Sequence, residues 1–110
     1  MIEKIVLDYL NNALSVPAHM EKPEIVPERY VLIERTGGSI ENYINKATIT
    51  LQSYAESLHQ AAELNEEVKK AMLDITVLPS VGSSELNTDY NFTDTTKKRY
   101  RYQAIFDLTY

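Results

Sequence analysis

His19 and His59 are the only histidines of this chain, and cysteine is absent, so general-base and thiolate chemistry have two candidate residues and none. Neither histidine adjoins a serine in a Gly-x-Ser-x-Gly elbow, the arrangement that would supply a nucleophile. His59 and Glu63 stand four positions apart, so in a helix their side chains meet. Such a pair offers a metal two ligands, and a full site needs at least one more; the other reading is a surface ion pair. Gly37-Gly38-Ser39 has the small residues of a phosphate loop but lacks the adjoining lysine and the helix that must follow. Asn91-Phe92-Thr93 is a glycosylation sequon by form alone, with meaning only in a secreted chain. The densest chemistry is Lys97-Lys98-Arg99-Tyr100-Arg101, where four of the 11 basic residues fall together around a tyrosine. Such a cluster can grip phosphates with tyrosine as a stacking platform, keep a sheet edge from aggregating, or meet an acidic patch on a neighbouring copy. A net charge of −5 ranks the last reading first, the charged edge second and nucleic acid third.

The elements that must carry these residues can be read from periodicity. Ile2, Ile5, Val6, Tyr9, Leu10 and Ala13 form one apolar stripe, which predicts a helix over about 2–14 with Glu3 in its first turn and Pro17 beyond its end. Residues 15–28, with Pro17, Pro23 and Pro27, read as a connector that wraps the domain and delivers the chain to an edge strand. Tyr30–Thr36 reads as a strand with Val31 and Ile33 on one face and Tyr30, Leu32 and Glu34 on the other. Gly37-Gly38 then predicts the turn of a hairpin. The second strand, within 42–54, alternates Ala47, Ile49 and Leu51 with Thr48, Thr50 and Gln52. Glu56–Ile75 predicts a second helix, capped by Ser53 or Ser57 and ended before Pro79 and Gly82. Residues 80–96 read as a polar, turn-rich loop with a short strand over 86–92. From Tyr100 to Tyr110 every even position is apolar or aromatic, and the odd positions are polar except Ile105, which predicts a strand with one wet face.

The order helix, strand, strand, helix, strand, strand predicts an α+β domain over 1–110. The expected architecture is a four-stranded, mainly antiparallel sheet with both helices packed on one face. The other face is left polar, to be solvated or covered by another copy or a partner. A chain of 110 residues is one domain's worth. No apolar run approaches the ~20 residues a bilayer span needs, and the charged, periodic first ten residues do not have the form of a signal peptide. Of the 10 aromatic residues 8 are tyrosine, a type suited to half-wet sheet faces and to interfaces. Tyr100, Tyr102 and Tyr110 are expected in the core face of the last strand, which leaves Tyr43 and Tyr90, near predicted loops, for an interface.

The whole chain resembles the tail-terminator (tail-completion, or minor tail) proteins of long-tailed phages and prophages. An amphipathic first helix leads into a proline-rich connector, and residues 27–38, Pro-Glu-Arg-Tyr-Val-Leu-Ile-Glu-Arg-Thr-Gly-Gly, look like the family's strand ending in Glu-Arg-Thr-Gly-Gly. Ala47 to Ala55 follows the pattern Ala-x-Ile-x-Leu-x-x-Tyr-Ala and feeds an alanine-containing helix. Residues 101–110 look like the family's terminal strand, Arg-Tyr-x-Ala-x-Phe-x-Leu-x-Tyr. The resemblance implies a virion protein made in the host cytoplasm, with no catalysis and no cofactor. It implies self-association into a ring, usually sixfold, at the head-proximal end of the tail tube. Its partners would be the tail-tube protein and the head connector or neck protein, with no membrane and no direct nucleic-acid contact. A head-closure or neck protein of the same virion is the near alternative, and a small ligand-binding, nucleic-acid-contacting or enzymatic domain the distant one. The expected contact regions are the Gly-Gly hairpin loop, the polar stretch 82–96 and the wet, basic face of the last strand. The residues singled out are Arg35, Gly37, Gly38, Tyr43, Tyr90, Lys97, Lys98, Arg99 and Arg101.

Overall fold

A computed structural model describes residues 1–110. Helix α1 spans Ile2–Ala13 and buries Ile2, Val6 and Leu10, the centre of the apolar stripe. The connector contributes a two-residue strand, β1 (Ala18–His19), before β2 (Tyr30–Glu41) and β3 (Ile44–Ala55). Helix α2 spans Leu58–Leu73, and the Ser57 side chain caps it by accepting from the Gln60 amide at 3.2 Å. A 3-10 turn over Asp74–Val77 leads to β4 (Ser83–Asn91) and β5 (Tyr100–Thr109).

The fold is α+β, and its sheet has five strands in the order β1-β2-β3-β5-β4. β1 runs parallel to β2, and the other pairings are antiparallel, so the sheet is mixed. This corrects the four-stranded expectation. The extra strand lies in the proline-rich connector, where Asn11 ties it down: its side chain accepts from the Ala18 amide at 2.9 Å and donates to the Ala18 carbonyl at 3.1 Å. Two residues are too few for periodicity to reveal.

The hairpin is also corrected. Gly37-Gly38 is not a turn; both glycines lie inside β2, and no glycine has positive φ. The chain turns at Asn42-Tyr43, with φ of 50° and 65°, the signs a two-residue type I′ turn requires. The hydrophobic pattern selects this register. With the turn at 42–43, Ile33 opposes Leu51 and Val31 opposes Ser53, while Ala47 and Ile49 also keep β2 partners. A turn at 37–38 would set Ile33 against Asn42 and strand the apolar residues of β3. Gly38 has a different reason to lack a side chain: a Cβ there would meet the Lys46 carbonyl oxygen at 3.3 Å. The stretch 82–96, expected as a loop with a short strand, is mostly β4, interrupted by a bulge at Asn87. The bulge overrides the simple alternation, so Leu86 falls on the helix side while Thr88 and Tyr90 fall on the other.

One core joins Val6 and Leu10 of α1, Val68 and Met72 of α2, and the inward side chains Val31, Ile33, Ile49, Leu51, Ala104 and Phe106. Both helices therefore bury their stripes against the same sheet face. They run antiparallel, tied where the Tyr9 hydroxyl donates to the Ala71 carbonyl at 2.8 Å and Ser15 donates to Glu67 at 2.9 Å. The domain is elongated, 44 × 24 × 24 Å, along its strands. The β2–β3 turn marks one end. The β4–β5 connection and the start of α2 mark the other, since Ala55 pairs with Tyr100.

Candidate functional site

The face of the sheet turned away from the helices carries no covering helix. Register alone places its rungs. Tyr30 opposes Tyr54, which opposes Arg101, and the backbone of Phe92 bonds to that of Arg101. On the next rung Leu32, Gln52, Gln103 and Tyr90 stand side by side. Farther on come Thr50 and Ile105, then Thr48 and Asp107.

The first two rungs form an aromatic and arginine corner. The Tyr30 and Tyr54 rings stack at 4.7 Å between centroids and 4° between planes, and the His19 ring meets Tyr30 edge-on with 6.5 Å between centroids. Arg99 donates to the Tyr30 hydroxyl at 2.9 Å. Arg101 donates to the Tyr54 hydroxyl at 2.9 Å and to the Phe92 carbonyl at 2.7 Å, and its guanidinium lies 4.4 Å from the Phe92 ring centroid. Stacking of this kind is worth about 0.5–2 kcal/mol and fixes the arginine in place. Tyr30 is 1% exposed and Tyr54 8%, so a fully buried tyrosine sits on the nominally open face. Burial pushes the Tyr30 hydroxyl above its ordinary pKa, against the opposing pull of Arg99. A chain of amide and phenol bonds then crosses the sheet. Tyr54 donates to Gln52, Gln52 donates to Gln103 at 2.9 Å, and Gln103 donates to Tyr90. This satisfies the buried Gln103 and holds the polar rung rigid.

The approach to β5 is built by local bonds. One Asp94 carboxylate oxygen accepts from the Thr96 amide, the Thr96 hydroxyl and the Lys97 amide, and Lys98 takes a left-handed φ of 52°. The Thr96 hydroxyl, first among these bonds, holds the Asp94 carboxyl below its ordinary pKa. This turn presents Lys97 and Lys98, both exposed, beside Arg99.

The predicted site residues divide between the two ends. Tyr90, Lys97, Lys98, Arg99 and Arg101 gather at the corner. Arg35, Gly37, Gly38 and Tyr43 belong to the distal part of the β2–β3 hairpin. Arg35 points to the helix side, 3.8 Å from Glu3. Tyr43 is 100% exposed at the hairpin tip, flanked by the exposed Ile40 and Ile44. Tyr100, Tyr102 and Tyr110 are half-buried. The sequence reading did not single out Tyr30, Tyr54, Phe92, Gln52 and Gln103. The signal that would have found them is strand parity once the turn is placed at Asn42-Tyr43.

His59 and Glu63 do meet, as an exposed side-chain contact on α2, but no group of three or more histidine or acidic side chains with metal-binding geometry occurs. His19 packs edge-on against Tyr30. One hollow, of about 590 Å³, is open and polar, lined in part by Ser39, Thr48, Ser83, Glu85 and Asp107. The Asp107 carboxylate there is engaged by the Thr48 hydroxyl at 2.9 Å and the Asn87 amide at 3.1 Å. No helix is long and apolar enough to cross a membrane. No protein-family model matches the chain, and no curated protein matches it.

Proposed function

We propose that this chain is a structural assembly protein that closes into a ring, caps the tail tube of a long-tailed phage or prophage, and forms the surface to which the head joins. One observation carries the reading: a stiff, two-layered domain bears chemically unlike groups at the two ends of its 44 Å axis and an uncovered polar sheet face along its side. A ring between two different structures needs these three parts: lateral faces that repeat and two axial faces that differ. The hairpin end presents Ile40, Tyr43 and Ile44, suited to an apolar axial contact. The opposite end presents Lys97, Lys98 and the arginine corner. The resemblance in strand order and terminal motifs supplies the identity of the tube and head as partners.

Negative-stain microscopy with light scattering on the purified chain, with and without tail-tube protein, tests the proposal. Closed rings, formed alone or on tube ends, are the expected result. A strict monomer that ignores tube protein overturns it, as does a large thermal shift with a metal or nucleotide, which would point to a ligand site instead.

A further inference from the structure

Resting on the ring reading, we infer that Arg99 and Arg101 receive carboxylates from helix α2 of the neighbouring copy, Glu63 and Glu67 foremost. These are the only arginines of the chain without a carboxylate partner, because Arg29 pairs with Glu56 and Arg35 with Glu3. Their guanidinium groups are held by phenol and carbonyl oxygens and by the faces of Tyr54 and Phe92. Of five N–H donors each, Arg99 uses one and Arg101 two in these bonds. The remaining donors form a fixed fork above a rigid aromatic floor, so an incoming carboxylate meets side chains whose rotamer entropy is already lost. Lys97 and Lys98 add two further cations without carboxylate partners beside them.

The same chain carries the complementary surface. Glu63 and Glu67 lie one turn apart on α2, Glu63 exposed and Glu67 half-buried beside the residues that follow α1; no lysine or arginine forms a salt bridge with either, Glu63 meets only His59, and Glu67 accepts from Ser15. A cleft of about 280 Å³ lies against this helix, lined in part by Gln60, Glu63 and Glu67, with Arg29, already bound to Glu56, on its wall. The two patches lie on opposite layers of the domain, so one copy can meet the next head to tail but cannot meet itself by a twofold axis through a single patch. They also stand toward the same end of the long axis, because α2 begins directly after Ala55, the partner of Tyr100. Contacts at similar height repeat with little rise and favour closure over a filament. A net charge of −5 opposes a nucleic-acid backbone, which carries a charge on every nucleotide, more than it opposes two carboxylates on one helix.

The test compares assembly of the full chain, by sedimentation velocity over a concentration series, with that of R99E/R101E and E63K/E67K. The second variant leaves the tyrosine floor untouched and so reads the contact even where the first disturbs folding. The expected result is a loss of about tenfold or more in assembly affinity for each, and recovery when the two variants are mixed, since mixing pairs the unreversed arginines of one with the unreversed glutamates of the other. Rings that form equally well from E63K/E67K overturn this contact and leave the ring reading standing. A wild-type chain that stays monomeric at all concentrations, with tube protein or without, overturns the ring reading itself. Binding of a labelled DNA duplex that is lost in R99E/R101E, with assembly unchanged, overturns the contact in favour of phosphate recognition.

Discussion

The arginine corner and the hairpin tip stand at opposite ends of one sheet and use their aromatic side chains in opposite ways. At the corner, tyrosines are packed: Tyr30 is 1% exposed and stacked on Tyr54, and each hydroxyl holds an arginine. At the tip, Tyr43 is 100% exposed, makes no hydrogen bond through its side chain, and occupies a left-handed φ of 65° that disfavours any residue with a Cβ. The corner is therefore stabilised by its residues, and the tip is tolerated at a cost. A chemical group displayed on a stable floor and a bulky apolar group displayed on a strained turn are two ways of building an interface, and substitutions separate them.

The largest contrast is in stability. Tyr30→Ala should cost about 3–5 kcal/mol, since it removes a buried ring, its stack and the anchor of Arg99. Tyr30→Phe should cost only about 1 kcal/mol, the worth of the hydroxyl's bond. Urea midpoints at constant m-value measure both. If Tyr30→Ala proves nearly neutral, the corner is not a packed floor and its arginines are not held.

Tyr43→Gly should move the other way. Asn-Gly is the favoured pair for a type I′ turn, and glycine removes the left-handed cost of roughly 1–2 kcal/mol while adding about 0.5–1 kcal/mol of unfolded-state entropy. A net gain of about 0.5–1 kcal/mol, a few degrees in Tm, is expected by calorimetry. A loss of stability would show that Tyr43 is supported within the domain, and the contrast between the two ends would fall.

The unequal legibility of the two regions has a physical origin. The apolar stripe of α1, the cap at Ser57 and the alternation of residues 100–110 follow from local period, and local period was in the sequence. The corner depends on register instead. A turn centred on Gly37-Gly38 would oppose Tyr30 to Asn45; the turn at Asn42-Tyr43 opposes it to Tyr54. Glycine's permissive backbone drew the turn to the wrong place, whereas long-range burial of Ile49 and Leu51 beside Ile33 set the true one. The basic cluster at 97–101 was visible as charge, yet the tyrosines that fix its arginines come from strands that only tertiary pairing brings near. β1 was invisible because its parallel pairing to β2 rests on Asn11 and not on any pattern of its own.

Smaller effects sharpen the division of labour. Ile40→Ser with Ile44→Ser should change stability by about 0.5 kcal/mol or less per site, since both side chains are exposed. In the ring reading the same double variant should still form rings but bind tube ends more weakly, read by counting capped tubes in micrographs. Rings that fail to form would move the hairpin from the axial to the lateral contact.

The finest comparison sets one ion pair from each end against the other. Near the corner, Arg29 holds Glu56 through two nitrogens, at 2.5 and 2.8 Å; at the tip, Lys46 holds Glu41 at 2.8 Å through one. In both, the hydrogen bond from the cation is the first cause of a carboxyl pKa below the ordinary 4.5. A lowered folded-state pKa means the stabilisation is present above pH 4.5 and is lost as pH falls through the folded value, because the unfolded chain then binds the proton more readily. The two-pronged guanidinium should hold its carboxylate more firmly than the single ammonium does. Glu56→Gln should therefore flatten the acid limb of the stability curve more than Glu41→Gln, with both differences small because the pairs are exposed and salt-screened. Urea midpoints taken between pH 7 and pH 3 read this directly. A larger change from Glu41→Gln would mean that the hairpin tip, and not the corner, is the more firmly anchored end.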